Sequence, residues 1–77
     1  MRICLIEWVD SSFAQGWMSM EYAKKHDVAR VASVGILVYE DKDKITIMQD
    51  VSNKEDMGDG ITIPKCSIKR IRRLKIK

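Results

Sequence analysis

The chain has 77 residues, of which 45% are hydrophobic and 32% charged, with a formal net charge of +3. This length makes a single domain, 1–77, with one core, and the composition is too apolar for a disordered segment. No stretch reaches the ~20 apolar residues of a membrane span, and two cysteines are too few for a disulfide scaffold.

Residues Ile3 to Val9 are dense in β-formers and apolar on both faces, with Ile3, Leu5 and Val9 on one and Cys4, Ile6 and Trp8 on the other. That pattern predicts a strand with little exposure. Asp10-Ser11-Ser12 breaks it with side chains that hydrogen-bond their own backbone. The connection to about Asp27 is long for a hairpin and carries Phe13, Gly16, Trp17, Met18, Met20 and Tyr22. Within it, Met20 to His26 is predicted as one or two helical turns behind Ser19 as N-cap.

Val28 to Glu40 gives the longest strand signal, read with Val34, Ile36 and Val38 facing inward and Leu37 and Tyr39 outward. Gly35 inside this run points to a bulge or sharp coil. Asp41-Lys42-Asp43 is a polar hairpin tip, and Lys44 to Val51 alternates with Ile45, Ile47 and Val51 inward. Asn53 to Gly60 forms an acidic loop, and Ile61 to Ile63 a fourth strand. Pro64 to Ser67 is the corner before a cation-rich fifth strand running to Ile76, and the Ile68-x-x-Ile71 spacing fits one tight helical turn there.

Five strands, a long decorated first connection and a one-turn corner before the last strand predict a mainly all-β fold. It is a small five-stranded barrel of the Src-homology or Sm-like type, with one short helix. Closure would remove the two edges of an open sheet. It would also bury Ile36, Val38, Ile45, Ile47, Ile63, Ile71 and Leu74 in one core. A chain this short buries only about 60% of the surface its unfolded form exposes, and its stability is expected at roughly 4–12 kcal/mol.

The charge is unevenly spread. Seven of the fourteen Lys and Arg lie between Lys65 and Lys77, and seven of the eleven acids between Glu40 and Asp59. On a strand, Arg70 and Arg72 share one face, with Arg73, Lys75 and Lys77 on the other. Lys69, Arg70, Arg72 and Arg73 are the candidate nucleic-acid contacts, although no aromatic residue interleaves them as in single-strand binders. The bland reading is that these cations solvate an edge strand and pair with the acids of residues 40–59.

The other chemical letters spell little. Asp10, Ser11, Ser12, His26 and Asp27 contain the residue types of a hydrolase, but no Gly-x-Ser-x-Gly elbow accompanies them, and the turn reading wins. One His and two distant Cys match no zinc spacing, and Asp41, Asp43, Asp56 and Asp59 lack the bidentate Glu of a calcium loop. No cofactor, metal or catalytic residue is expected. Cys4 and Cys66 are expected as reduced, apolar fillers. Of the two tryptophans, at least one fills the core and Trp17 is the more exposed. Trp17, Met18, Met20 and Tyr22 are the candidate protein interface, with self-association into a homo-oligomer expected there.

One wider pattern runs through almost the whole chain. It consists of Trp8-x-Asp10-Ser11, Gly16-Trp17, Val34-Gly35-x-Leu37-Val38-x-Glu40, Ile45-x-Ile47 and Ile63-Pro64-Lys65-x-Ser67-Ile68-Lys69-x-Ile71. It resembles a family of short phage and prophage proteins of uncharacterised function. The resemblance implies a soluble, cytoplasmic life in a bacterial host cell and carries over no catalytic residue. The expectation is a non-enzymatic accessory protein acting through protein partners (host, virion or self), with a nucleic-acid-binding Sm-like barrel as the alternative and no role at a membrane.

Overall fold

The computed structural model describes residues 2–75, with the side chain of Lys75 left aside. The expected positions of Ile76 and Lys77, and the side chain of Lys75, therefore lie outside the described residues. Five antiparallel strands form one sheet: β1 (Arg2–Asp10), β2 (Ala29–Glu40), β3 (Lys44–Val51), β4 (Met57–Pro64) and β5 (Ile68–Lys75). A helix α1 (Met20–Lys25) interrupts the β1–β2 connection, and a single 3₁₀ turn (Lys65–Ser67) joins β4 to β5. The sheet order is β4-β3-β2-β1-β5. The fold is mainly β and barrel-like, as the sequence predicts.

The core lies on one face of the coiled sheet. Cys4, Ile6 and Trp8 of β1, Ile45 and Ile47 of β3 and Ile63 of β4 are buried there, with Val31, Leu37, Ile68 and Ile71 packed against them. The Trp8 indole donates to the Ser33 hydroxyl at 3.0 Å, so the one polar atom of this side chain is satisfied. Of the seven residues expected in one core, three are elsewhere: Val38 and Leu74 are exposed, and Ile36 is half-buried on the opposite face, across from Ile3. Val51, at the end of β3 and also read as inward, is exposed too.

The cause is a reversed phase in β2. Cys4 pairs with Gly35 and Ile47 with Leu37, which turns the Gly35–Leu37 set inward and Val34 and Ile36 outward. Gly35 is required there because a Cβ would come within 2.9 Å of the Ile47 Cβ. The bulge expected at Gly35 falls instead between Leu37 and Tyr39. In β5, Ile6 pairs with Ile71, Glu7 with Arg70 and Trp8 with Ile68, so Glu7 and Trp8 of β1 face three residues of β5. This bulge at Lys69, not a helical turn, is what turns both isoleucines inward. The helical turn is the Lys65–Ser67 corner that precedes them.

β4 begins at Met57, four residues before the expected Ile61, because Gly58 and Gly60 pair with Asp50 and Met48. At Gly60 a Cβ would meet the Ile47 carbonyl at 2.6 Å, so only glycine lets β4 approach. The sheet is open: among the described residues β4 pairs only with β3, and β5 only with β1. The β4–β5 gap is spanned by the 3₁₀ corner, whose Lys65 amide donates to the Asp43 carbonyl at 2.8 Å.

The molecule is long for its size. Its radius of gyration is 16.1 Å, against about 11 Å expected for a compact chain of this length. The long axis of 52 Å exceeds the ~40 Å of a 12-residue strand. The β1–β2 ladder ends at Asp10↔Ala29, and residues 11–28 form an arm beyond it.

Candidate interaction surfaces

The arm is held at its base. The Ser12 hydroxyl donates to the Asp27 carbonyl, while the Asp27 carboxylate accepts from the Val28 amide at 2.8 Å and from Arg30 at 3.1 Å. The Val28 amide and the Arg30 guanidinium hold the Asp27 carboxyl below its ordinary range. Ser12 and Asp27, two of the hydrolase-type residues, thus meet through a main-chain oxygen. Among the described residues, no group of three or more His, Cys, Asp or Glu could hold a metal ion.

Beyond that base, α1 forms as its local signals dictate. The Ser19 hydroxyl accepts from the Tyr22 amide at 3.1 Å, Glu21 sits in the first turn, and Lys24 and Lys25 in the last. Six residues cannot sustain an isolated helix by propensity, and this one buries no side chain. Exposure reaches 84% at Phe13, 104% at Trp17, 73% at Met20 and 63% at Tyr22, with Met18 half-buried. The tryptophan that fills the core is Trp8. Where the arm meets the sheet lies an open cleft of about 640 Å³, lined by Trp8, Val9, Val28 and Val31, with Glu7 and Lys69 contributing charge.

The basic strand divides as its alternation predicts. Arg73 lies opposite Cys4 on the core side, whereas Arg72 and Arg70 lie opposite Leu5 and Glu7 on the outer face. Arg73 makes a bidentate pair with Glu40 at 2.6 and 2.8 Å, and Lys65 reaches the same carboxylate at 2.5 Å. Glu40 therefore ties the end of β2 to both the corner and β5. Of the four candidate nucleic-acid residues, Arg73 is committed to this pair. Among the described residues no ion pair engages Lys69, Arg70 or Arg72, all of them exposed. Both thiols are free: Cys4 is buried, which pushes its thiol up, and Cys66 is exposed at the corner.

The Glu40 cluster carries a pH prediction. Hydrogen bonds from Arg73, then Lys65, lower the Glu40 carboxyl from 4.5 to about 2. A carboxyl lowered on folding stabilises the fold above its unfolded value, and that contribution is lost as pH falls from 4.5 toward 2. The shift alone corresponds to about 3 kcal/mol, and solvent screening at the half-exposed Arg73 reduces this to about 1–2 kcal/mol. Urea melts of the wild type should lose that much between pH 5 and 2, while Glu40→Gln should be weaker at pH 7 and flatter across the range. Parallel pH profiles for the two proteins would refute the cluster's role.

No family profile, curated protein or solved structure matches this chain.

Proposed function

We propose that this chain is a non-enzymatic accessory module of a phage or prophage, working in the bacterial cytoplasm and holding a protein partner through the arm. The phage assignment is supported by the motif resemblance alone. The arm assignment is supported by one observation above all: the arm leaves Trp17, ahead of its capped helix, and Met20 and Tyr22, on a helix that buries nothing, exposed to solvent. Aromatic and methionine side chains are enriched in protein interfaces, and the arm exposes several of them within ten residues of sequence. The three arm aromatics offer about 500 Å² at ~200 Å² per ring side chain, a large part of the ~800 Å² each partner buries in a standard interface.

A second reading is nucleic-acid contact by the exposed cations Lys69, Arg70 and Arg72. Its support is thinner, because Arg73 is paired and Glu7 lies across from Arg70. A photo-crosslinking residue at position 17, with a control at the exposed hairpin residue Lys42, separates the readings. The arm reading predicts one protein adduct of defined mass from position 17 alone, reproduced with the purified partner or with the chain itself. Equal adducts from both positions, or nucleic-acid adducts alone when the same residue is placed at position 72, would count against it.

A further inference from the structure

The two edges of the open sheet differ in charge. β4 and β5 are each eight residues long, and each is paired on one side only among the described residues. Unpaired edges of this length present a row of main-chain donors and acceptors, which is a template for another strand. The β4 edge is acidic at its start, with Glu55, Asp56 and Asp59 on or just before the strand and Asp50 on its neighbour β3. The β5 edge carries Lys69, Arg70 and Arg72, exposed and outside any ion pair among the described residues.

We propose that β4 of one copy pairs with β5 of a second copy, antiparallel, so that the chain assembles head to tail through its free sheet edges. The charges select this arrangement over the alternatives. Two β5 edges would set cation against cation, and two antiparallel β4 edges would set the acidic start of each against the uncharged Ile61–Pro64 end of the other, so neither symmetric dimer gains the opposite-charge contact of the mixed pairing. The mixed pairing brings the acidic start of β4 toward the Arg72 end of β5 and continues the antiparallel sheet across the boundary. Like the other strands it leaves the arm untouched, so it stands apart from the arm reading. A head-to-tail contact closes into a ring or propagates as a filament, according to the rotation between copies.

The test is a mixing experiment followed by native mass measurement. Asp50→Lys with Asp56→Lys cancels the acidic charge of the β4 edge, setting two lysines beside Glu55 and Asp59, and Lys69→Glu with Arg72→Glu makes the β5 edge net acidic like β4. All four positions are exposed, and neither Asp59 nor Glu55, both at positive φ, is altered. Each variant alone should be a folded monomer by mass and thermal melt, and an equimolar mixture should form a one-to-one dimer, because the unaltered β5 of one variant meets the unaltered β4 of the other. Wild type should assemble at low salt and dissociate as salt rises, because the selecting charges are on the surface. A wild-type monomer at low salt would overturn the proposal. So would charge-reversed variants that assemble alone as wild type does, or folded variants whose mixture stays monomeric.

Discussion

Ile47→Asp is expected to abolish cooperative folding. Ile47 is fully buried, pairs with Leu37 and Ile61 on its two sides and closes against the bare backbone at Gly35. An aspartate there has no described cation among the residues packed in the core, and an unpaired buried charge costs several kcal/mol or more. The whole domain has roughly 4–12 kcal/mol to lose. Ile47→Val, which removes one methylene and keeps the shape, should cost only about 0.5–1.5 kcal/mol. Thermal melts followed by far-ultraviolet circular dichroism read both variants. A cooperative transition for Ile47→Asp within a few degrees of wild type would mean that this side chain is not at the centre of the core.

Much of the fold is legible in the chain, and the exceptions have physical causes. Strand number, the capped helix behind Ser19, the Asp41–Asp43 tip and the Lys65–Ser67 corner follow from local chemistry, which acts over a few residues. The Asp41 carboxylate, for example, accepts from the Asp43 and Lys44 amides and so makes its own turn. The phase of β2 does not follow from local chemistry. Its more apolar set, Val34, Ile36 and Val38, faces out, because the core at that point needs the absence of a side chain at Gly35 and a hydroxyl at Ser33 for the Trp8 indole. A glycine and a serine read as outward positions to any scale that counts apolar residues. Leu74 faces outward for a simpler reason. It lies three residues from Ile71, so in an unbroken strand the two cannot share a face, and Leu74 pairs with Ile3 on the outer side.

The candidate site divides in the same way. The arm's residue types mark it as a candidate interface in the sequence, and the structure leaves Trp17, Met20 and Tyr22 exposed and Met18 half-buried. The pairing of Glu40 with Arg73 and Lys65 spans 33 and 25 positions, a separation at which charge segregation suggests attraction but names no partners. Closure of the barrel was the expectation most dependent on distant geometry, and the sheet stays open, with β4 and β5 as its edges.

On the proposed reading, the arm belongs to the protein's contacts and not to its core. Asp10 and Ala29 already face each other at the end of the β1–β2 ladder, so residues 11–28 can be replaced by a two-residue Asn-Gly turn, the tightest hairpin connection. The replacement removes Trp17, Met18, Met20 and Tyr22 together while leaving every strand and all six buried core residues in place. Shortening the loop should hold or slightly raise stability, since less chain must be ordered. The decisive measurement pairs a thermal melt with capture of the partner identified by crosslinking at position 17. An unchanged cooperative melt is expected, with a loss of at least about 100-fold in affinity, the scale of two or more lost aromatic anchors. A shortened chain that fails to fold, or one that folds and binds its partner as tightly as wild type, would contradict it.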